Sequence, residues 1–310
     1  MSTEYRVHTA VLLLAHGSPD TPADIPCFLH AVTGGRPLPD AVVKEVQHRY
    51  TLIGRSPLRD ITMQQAASLQ RELGIPVYVG MRNWEPYIRD VVPQMAADGV
   101  KRAIVICLAP QNSRTSVGLY KKALLGESGR APFEVDFVES WHDHPGLIAA
   151  FAEKLQAGWK TACELADMEV PVIFTAHSVP TRTISEGDPY ERQARETAEL
   201  VAARVPGLTP DLCRFAFQSQ GMSGGPWLGP TVEETIDSFA GQHHAALFVQ
   251  PIGFLCDHVE VLYDIDIAFH DYADERGIDL WRAESLNDSP LLANALAEIV
   301  RARMRASTSA

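Results

Sequence analysis

Short apolar runs alternate with amphipathic stretches along the whole of this 310-residue chain. Residues 11–14, 77–79, 103–108, 135–138, 172–175, 214–217 and 246–249 read as strands, most of them apolar on both faces. Between them, residues 63–73, 88–97, 147–165, 193–205, 232–239 and 291–304 set apolar side chains at helical spacing. Strands with no polar face need cover on both sides, and strands alternating with helices are joined by crossovers. The pattern therefore predicts an α/β fold of mainly parallel sheets flanked by helices. In open sheets of this kind ligands bind beyond the carboxyl ends of the strands.

The chain also echoes itself. The run from Val11 to Pro19, whose apolar part closes in Ala15-His16, is similar to the run from Val172 to Pro180, which closes in Ala176-His177. Residues 98–110 and 241–251 form a second similar pair, in the same order. Two echoes in one order predict two similar βα halves, with residues 25–59 as an extra region in the first. A boundary around Trp141 to Gly146 divides the chain into domains 1–145 and 146–310, with the C-terminal helix able to pack across.

Acidic residues change the picture most sharply after the last of these strands. Asp257, Glu260, Asp264 and Asp266 fall close together beside His258 and are interleaved with Val259, Val261, Leu262 and Ile265. Carboxylates set into apolar surroundings repel one another and lose hydration, which is unfavourable without a cation or a catalytic use. Glu260 and Asp264 are four apart and would share a helical face, or else the row is a solvated helix face. His177, at the predicted end of an earlier strand, is placed to abstract a proton or to bind a borderline metal ion. With Glu260 as its partner, read at the end of a later strand, it offers too few ligands for a permanent structural metal, which suits a metal in transit.

Aromatic and turn residues suggest a wide apolar cleft around this pair: Trp84 and Pro86, Trp227, Tyr263, and the stretch 218–225. Arg49, Tyr50, Ser56 and Tyr120 are read in loops or at element ends, where they either bind carboxylates or cap the surface. Residues 112–116 read as a helix N-terminus with capping hydroxyls. The chain has neither a GxGxxG after a strand nor a GxxxxGK[ST] loop, which argues against nucleotide cofactors, and Ala15-His16-Gly17-Ser18-Pro19 is not a nucleophile elbow.

Bulk properties then narrow the partners. A net charge of −12 argues against nucleic acid. No apolar run reaches the roughly 20 residues of a membrane helix, and the first residues lack signal-peptide design, so no stable membrane anchor is expected. Five scattered cysteines, none in a CxxC pair, read as reduced thiols of a cytoplasmic protein, with no iron–sulfur cluster or structural zinc. With no exposed apolar stripe evident, a monomer is the default.

Several segments together resemble the ferrochelatase family. They are Ala176-His177-Ser178-Val179-Pro180, Gly187-Asp188-Pro189-Tyr190, Phe217-Gln218-Ser219-Gln220-Gly221, Trp227-Leu228-Gly229-Pro230, and Pro251 through Asp257-His258-Val259-Glu260. Arg55-Ser56-Pro57-Leu58, Gly80 through Pro86, and Leu108-Ala109-Pro110 extend the likeness over nearly the whole chain, in order. Arg49-Tyr50 before Ser56, and Ser116 through Lys122, look like the propionate-binding elements of the bacterial branch that acts on coproporphyrin III.

The resemblance implies two Rossmann-like domains holding a porphyrin in a cleft between them. It implies Fe2+ as a substrate inserted with release of two protons, and no permanently bound cofactor. Carried over position by position, His177 and Glu260 become the metal and proton-transfer pair. Asp264 and His16 are further candidate metal ligands, and His16, Arg49, Tyr50, Ser56, Arg82, Tyr120 and Trp227 are the candidate porphyrin-binding residues. A base on one ring face can take the pyrrole protons as iron enters, and a site favouring a saddled ring would lower the barrier.

Two departures from the family pattern stand out. His16 occupies a place where coproporphyrin-type relatives commonly carry tyrosine, and it resembles the Ala-His-Gly-Ser of sirohydrochlorin chelatases. The expectation is that His16 and His177 approach the metal from opposite ring faces. Ala268 stands where the family continues its acidic row, leaving Asp266 as a partial replacement. The expected order of substrates is coproporphyrin III, then protoporphyrin IX, then sirohydrochlorin, because four propionates need more cationic and hydroxyl donors than two. A porphyrin carrier without turnover and a metal-dependent hydrolase are the competing classes.

Overall fold

A computed structural model describes residues 8–126, 129–221 and 225–306. It contains two four-stranded, wholly parallel sheets. The first holds β1 (Thr9–Ala15), β2 (Val77–Met81), β3 (Arg102–Cys107) and β4 (Glu134–Val138) in the order β2-β1-β3-β4. The second holds β5 (Val172–His177), β6 (Cys213–Gln218), β7 (Ala246–Pro251) and β8 (Asp279–Arg282) in the order β6-β5-β7-β8.

Renumbered within each half, the two orders are identical, and the similar sequence pairs fall on equivalent strands: β1 with β5, and β3 with β7. The seven strands read from apolar runs are all present. The eighth, β8, was not foreseen because its four residues, Asp-Leu-Trp-Arg, offer too little apolar character. Every residue of β1 and of β7 is buried, which is why these strands carry continuous apolar runs.

The chain divides into two compact units. One comprises Met1–Pro110, Ser116–Trp141 and Asn287–Ala310; the other comprises Gln111–Thr115 and His142–Leu286. The terminal helix Pro290–Ala306 thus belongs with the first unit, where it packs on helix Leu58–Leu73. Arg301 pairs with Glu72 at 2.6 Å and Arg303 with Asp136 at 3.2 Å. The extra region of the first half forms helices Ile25–Val32 and Asp40–Ile53.

Three local expectations are corrected. Arg49 and Tyr50 lie inside helix Asp40–Ile53 and Tyr120 inside helix Val117–Leu125, not in loops or at element ends. Ser116 is the N-cap of the latter helix, but its hydroxyl makes no capping bond, and Ser113 instead donates to Asp188 at 3.1 Å. Glu260 does not end a strand; it sits in helix Val259–Leu262, beyond the close of β7. No helix among the described residues is long and apolar enough to cross a membrane. Part of the turn-rich stretch 218–225, residues 222–224, lies outside the described residues.

Candidate active site

His177 is the last residue of β5. Its backbone carbonyl accepts from the hydroxyl of buried Tyr190 at 2.9 Å, and the next amide, of Ser178, donates to the Gln218 carbonyl at 2.7 Å. The chain leaves β7 through Gly253, packed so closely on β5 that a Cβ there would lie 2.8 Å from the Cβ of Ala176. Only glycine permits that approach, and it lets the acidic segment return beside the end of β5. Glu260 Oε1 then stands 3.3 Å from His177 Nε2, with the two side chains 31% and 36% exposed. The second carboxylate oxygen of Glu260 faces His258 Nε2 at 3.3 Å, and His258 Nδ1 faces the Cys256 carbonyl at 3.0 Å.

The protonation of His177 follows from its partners. Its Nδ1 meets the Ser178 carbonyl and its Nε2 meets a carboxylate, both of which only accept, so each ring nitrogen carries a hydrogen. Burial works against that charge. The charge and hydrogen bond of Glu260, the Ser178 carbonyl and the charge of Asp264 outweigh burial and raise His177 from 6.5 to about 9. Burial likewise works against the Glu260 carboxylate, but His177 and His258 outweigh it and hold Glu260 well below the usual carboxylate range. The resting pair is therefore an imidazolium–carboxylate ion pair, open enough for an incoming cation to exchange with its proton.

The acidic row divides into two uses. Asp264 is buried, accepts from Ser219 Oγ, and adds its negative charge at His177. Residues Asp264–Phe269 form a π-helical turn, a widening that often accompanies a functional site. The shared helical face expected for Glu260 and Asp264 is thus interrupted by a change of helix type, yet both charges act on the same imidazole. Asp266 faces away from this use: Arg282 holds both its oxygens, and also reaches Asp257 at 3.4 Å. Arg282 thus already holds the carboxylate that was expected to replace in part the acid absent at Ala268.

In the first unit the equivalent strand β1 is followed directly by His16, whose Nδ1 lies 3.0 Å from the Gly17 carbonyl. This repeats the bond that His177 makes to the residue after it. The His16 ring packs edge-on against Phe28, which packs edge-on against Trp84. The amides of Arg82 and Asn83 donate to the carbonyls of Ala15 and His16, both at 3.0 Å, and the Arg82 guanidinium lies 5.8 Å from the Tyr120 ring centre. Tyr50 is buried with its hydroxyl 3.2 Å from Ser18 Oγ. The structure thus gathers His16, Arg82 and Tyr120 around one strand end and links Tyr50 to it through Ser18.

The other two residues differ. Ser56 is buried, with no hydrogen-bond partner for its hydroxyl among the described residues. Arg49, partly buried, forms a helical-spacing ion pair with Glu45 at 3.0 Å. In the second unit, Trp227 forms a backbone bridge with Pro180 just past His177.

A family model described as Ferrochelatase matches residues 8–304. The chain belongs to the ferrochelatase family. It is 53% identical to a ferrochelatase of Acidobacterium capsulatum over 94% of this chain and 93% of the relative. It is 34% identical to a coproporphyrin III ferrochelatase of Oceanobacillus iheyensis over 94% and 95%. Among solved structures, the sirohydrochlorin chelatase SirB of Bacillus subtilis shares the fold, with a TM-score of 0.57 at 13% identity over 95% of this chain and 94% of that one.

Within this ferrochelatase chain, reasoning from sequence missed three contributors to the site. His258 was noted only as a neighbour of the acids, although its spacing to Glu260 puts both at the start of one helix. Gln218 was read only as part of the turn-rich stretch 218–225 and of a family segment, and Arg282 gave no signal, because the partners of both are set by tertiary approach. A separate group, His142, Asp143 and Glu196, gathers candidate metal-ligating atoms within 4.8 Å of one another. There His142 Nε2 is already 3.0 Å from Glu196, and Arg192 approaches the same carboxylate oxygen at 3.8 Å.

Proposed function

We propose that this ferrochelatase inserts Fe2+ into coproporphyrin III, with His177 and Glu260 capturing the metal and removing protons. The observation that carries the reading is the 3.3 Å ion pair formed where β5 ends, the place where parallel sheets bind ligands. Insertion requires two pyrrole N–H protons to leave as the metal enters. Fe2+ approaching the pair competes with the imidazolium proton and draws on the same carboxylate, so metal capture and proton release are one exchange. Once free of its proton, the His177 Nε2 lone pair can accept one from a pyrrole nitrogen. The Glu260 carboxylate, with His258 hydrogen-bonded behind it, is the group that takes the second pyrrole proton and passes it to solvent. Asp264 adds its negative charge at the imidazole.

The preference for coproporphyrin III is supported by the relatives that bear that name at 34% identity. It is also supported by the donors of the first unit: Arg82 and Tyr120 at one strand end, Tyr50, and the unpartnered hydroxyl of Ser56 suit carboxylate recognition. Arg49 contributes only if it leaves Glu45. His16 is assigned to the metal by its place: it follows β1 as His177 closes β5, and its Nδ1 bonds the carbonyl of the next residue in the same way. Trp227 is assigned to the porphyrin as an apolar platform.

Anaerobic incubation with Fe2+ and each porphyrin in turn, followed in the visible bands, tests the reading. A higher kcat/KM for coproporphyrin III is expected. A higher value for protoporphyrin IX reverses the substrate assignment, and tight porphyrin binding without metallation makes the protein a carrier.

A further inference from the structure

We infer that Gln218 is a positioning residue that sets the spacing between His177 and Glu260, an assignment that rests on the function proposed above. Gln218 closes β6 directly opposite His177 in the strand register, and only 2% of it is exposed. Its side-chain oxygen accepts from Thr175 Oγ1 at 3.1 Å, which fixes which way the amide is turned. The amide nitrogen therefore points outward and donates to the backbone carbonyl of Glu260 at 2.7 Å, and more weakly to Ser219 Oγ at 3.3 Å. Ser219 in turn donates to the Asp264 carboxylate. The main-chain carbonyl of Gln218 accepts from Ser178, the residue after His177. One side chain and its own backbone thus join the end of β5 to the acidic segment.

The tether matters because Glu260 is not carried by the sheet. It sits in a helix of four residues that gives way to a π-helical turn at Asp264. So short a helix has few internal hydrogen bonds with which to hold a carboxylate in place. A bond to the carbonyl of Glu260 itself fixes the one backbone unit whose displacement would move the carboxylate from the imidazole. Gln218 touches neither the imidazole nor the carboxylate, so its effect is on their geometry.

The test uses the full chain, coproporphyrin III, and Zn2+ or Fe2+. Gln218→Glu keeps the length and the acceptor for Thr175 but removes the donor, whereas Gln218→Leu removes both. Both variants are expected to lower kcat about tenfold to a hundredfold, the effect of misplacing a reacting group by about an ångström. The porphyrin KM should stay within about twofold, because binding groups are untouched. A residue with a merely structural role would lower the melting temperature and leave kcat per folded molecule unchanged, and that result in Gln218→Glu overturns the proposal. If Gln218→Leu fails to fold, Gln218→Glu decides alone. Wild-type protein that inserts no metal overturns the proposed function itself, a result distinct from failure of the tether.

Discussion

His177 and Glu260 meet at 3.3 Å although one closes a strand and the other begins a short helix beyond a different strand. Each perturbs the other in the direction that keeps both charged: the imidazole rises to about 9 and the carboxylate falls well below its usual range. Removing either partner leaves the remaining group in an environment built for its counter-ion.

His177→Ala removes the proposed base and the proposed metal ligand together, and Glu260→Gln keeps the shape while removing the charge. Each is expected to lower the rate of metal insertion by about 10²-fold or more, the usual contribution of a positioned acid or base. Porphyrin affinity, followed by fluorescence quenching, should change little. Retention of turnover in His177→Ala would remove that residue from the mechanism. A raised metal KM with unchanged kcat in Glu260→Gln would assign Glu260 to binding.

Much of this arrangement was legible in the residues alone, and the gaps have physical reasons. Buried parallel strands show as uninterrupted apolar runs, so seven strands and the repeat were readable, and with them the place of His177. The edge strand β8 has too little buried surface to announce itself. Helix Asp40–Ile53 was passed over because only Tyr50 of its residues is buried, which leaves almost no apolar stripe. Acid density marked the Glu260 segment. Which acid serves which partner was decided by Ser219 and Arg282, whose approach depends on sheet order that no local pattern encodes.

The ion pair should also leave a signature in the pH dependence of stability. His177 has a folded value of about 9 against an ordinary 6.5, so its stabilising contribution is complete below 6.5 and fades as pH rises through 9. Glu260 lies below its ordinary 4.5, so its contribution is present above 4.5 and is lost on acidification. The melting-temperature difference between wild type and His177→Ala should be widest between those ordinary values, at about pH 5–6, and should shrink towards about pH 10. A difference that stays flat over that range would show that the two groups do not form a charged pair.

His16 mirrors His177 in both strand position and Nδ1 hydrogen bond. A carbonyl bond at Nδ1 fixes the ring orientation and the tautomer of a histidine proposed to meet the metal. Iron porphyrin product bound to His16→Ala should therefore show shifted Soret and charge-transfer bands and faster release than from wild type. His16→Gln, which keeps a polar group of similar reach without an imidazole, should behave alike. Unchanged spectra in both variants would place His16 away from the iron.

Gly253 offers a test of the framework that leaves the chemical groups untouched. A Cβ at this position would lie 2.8 Å from the Cβ of Ala176, 3.0 Å from its Cα and 3.5 Å from the amide nitrogen of His177. None of these is the tip of a flexible side chain, so the strain of Gly253→Ala must be relieved by moving the ends of β5 and β7 apart. Overpacking of this kind costs about 1–3 kcal/mol, which a urea denaturation curve would register as a lower midpoint at constant slope. Because His177 follows Ala176 and Glu260 follows the chain leaving Gly253, the same displacement lengthens the ion pair. Insertion by the folded variant should fall well beyond the loss of stability, with a normal porphyrin KM. Full activity in a destabilised Gly253→Ala would mean that the pair tolerates a wider gap than the wild-type geometry provides.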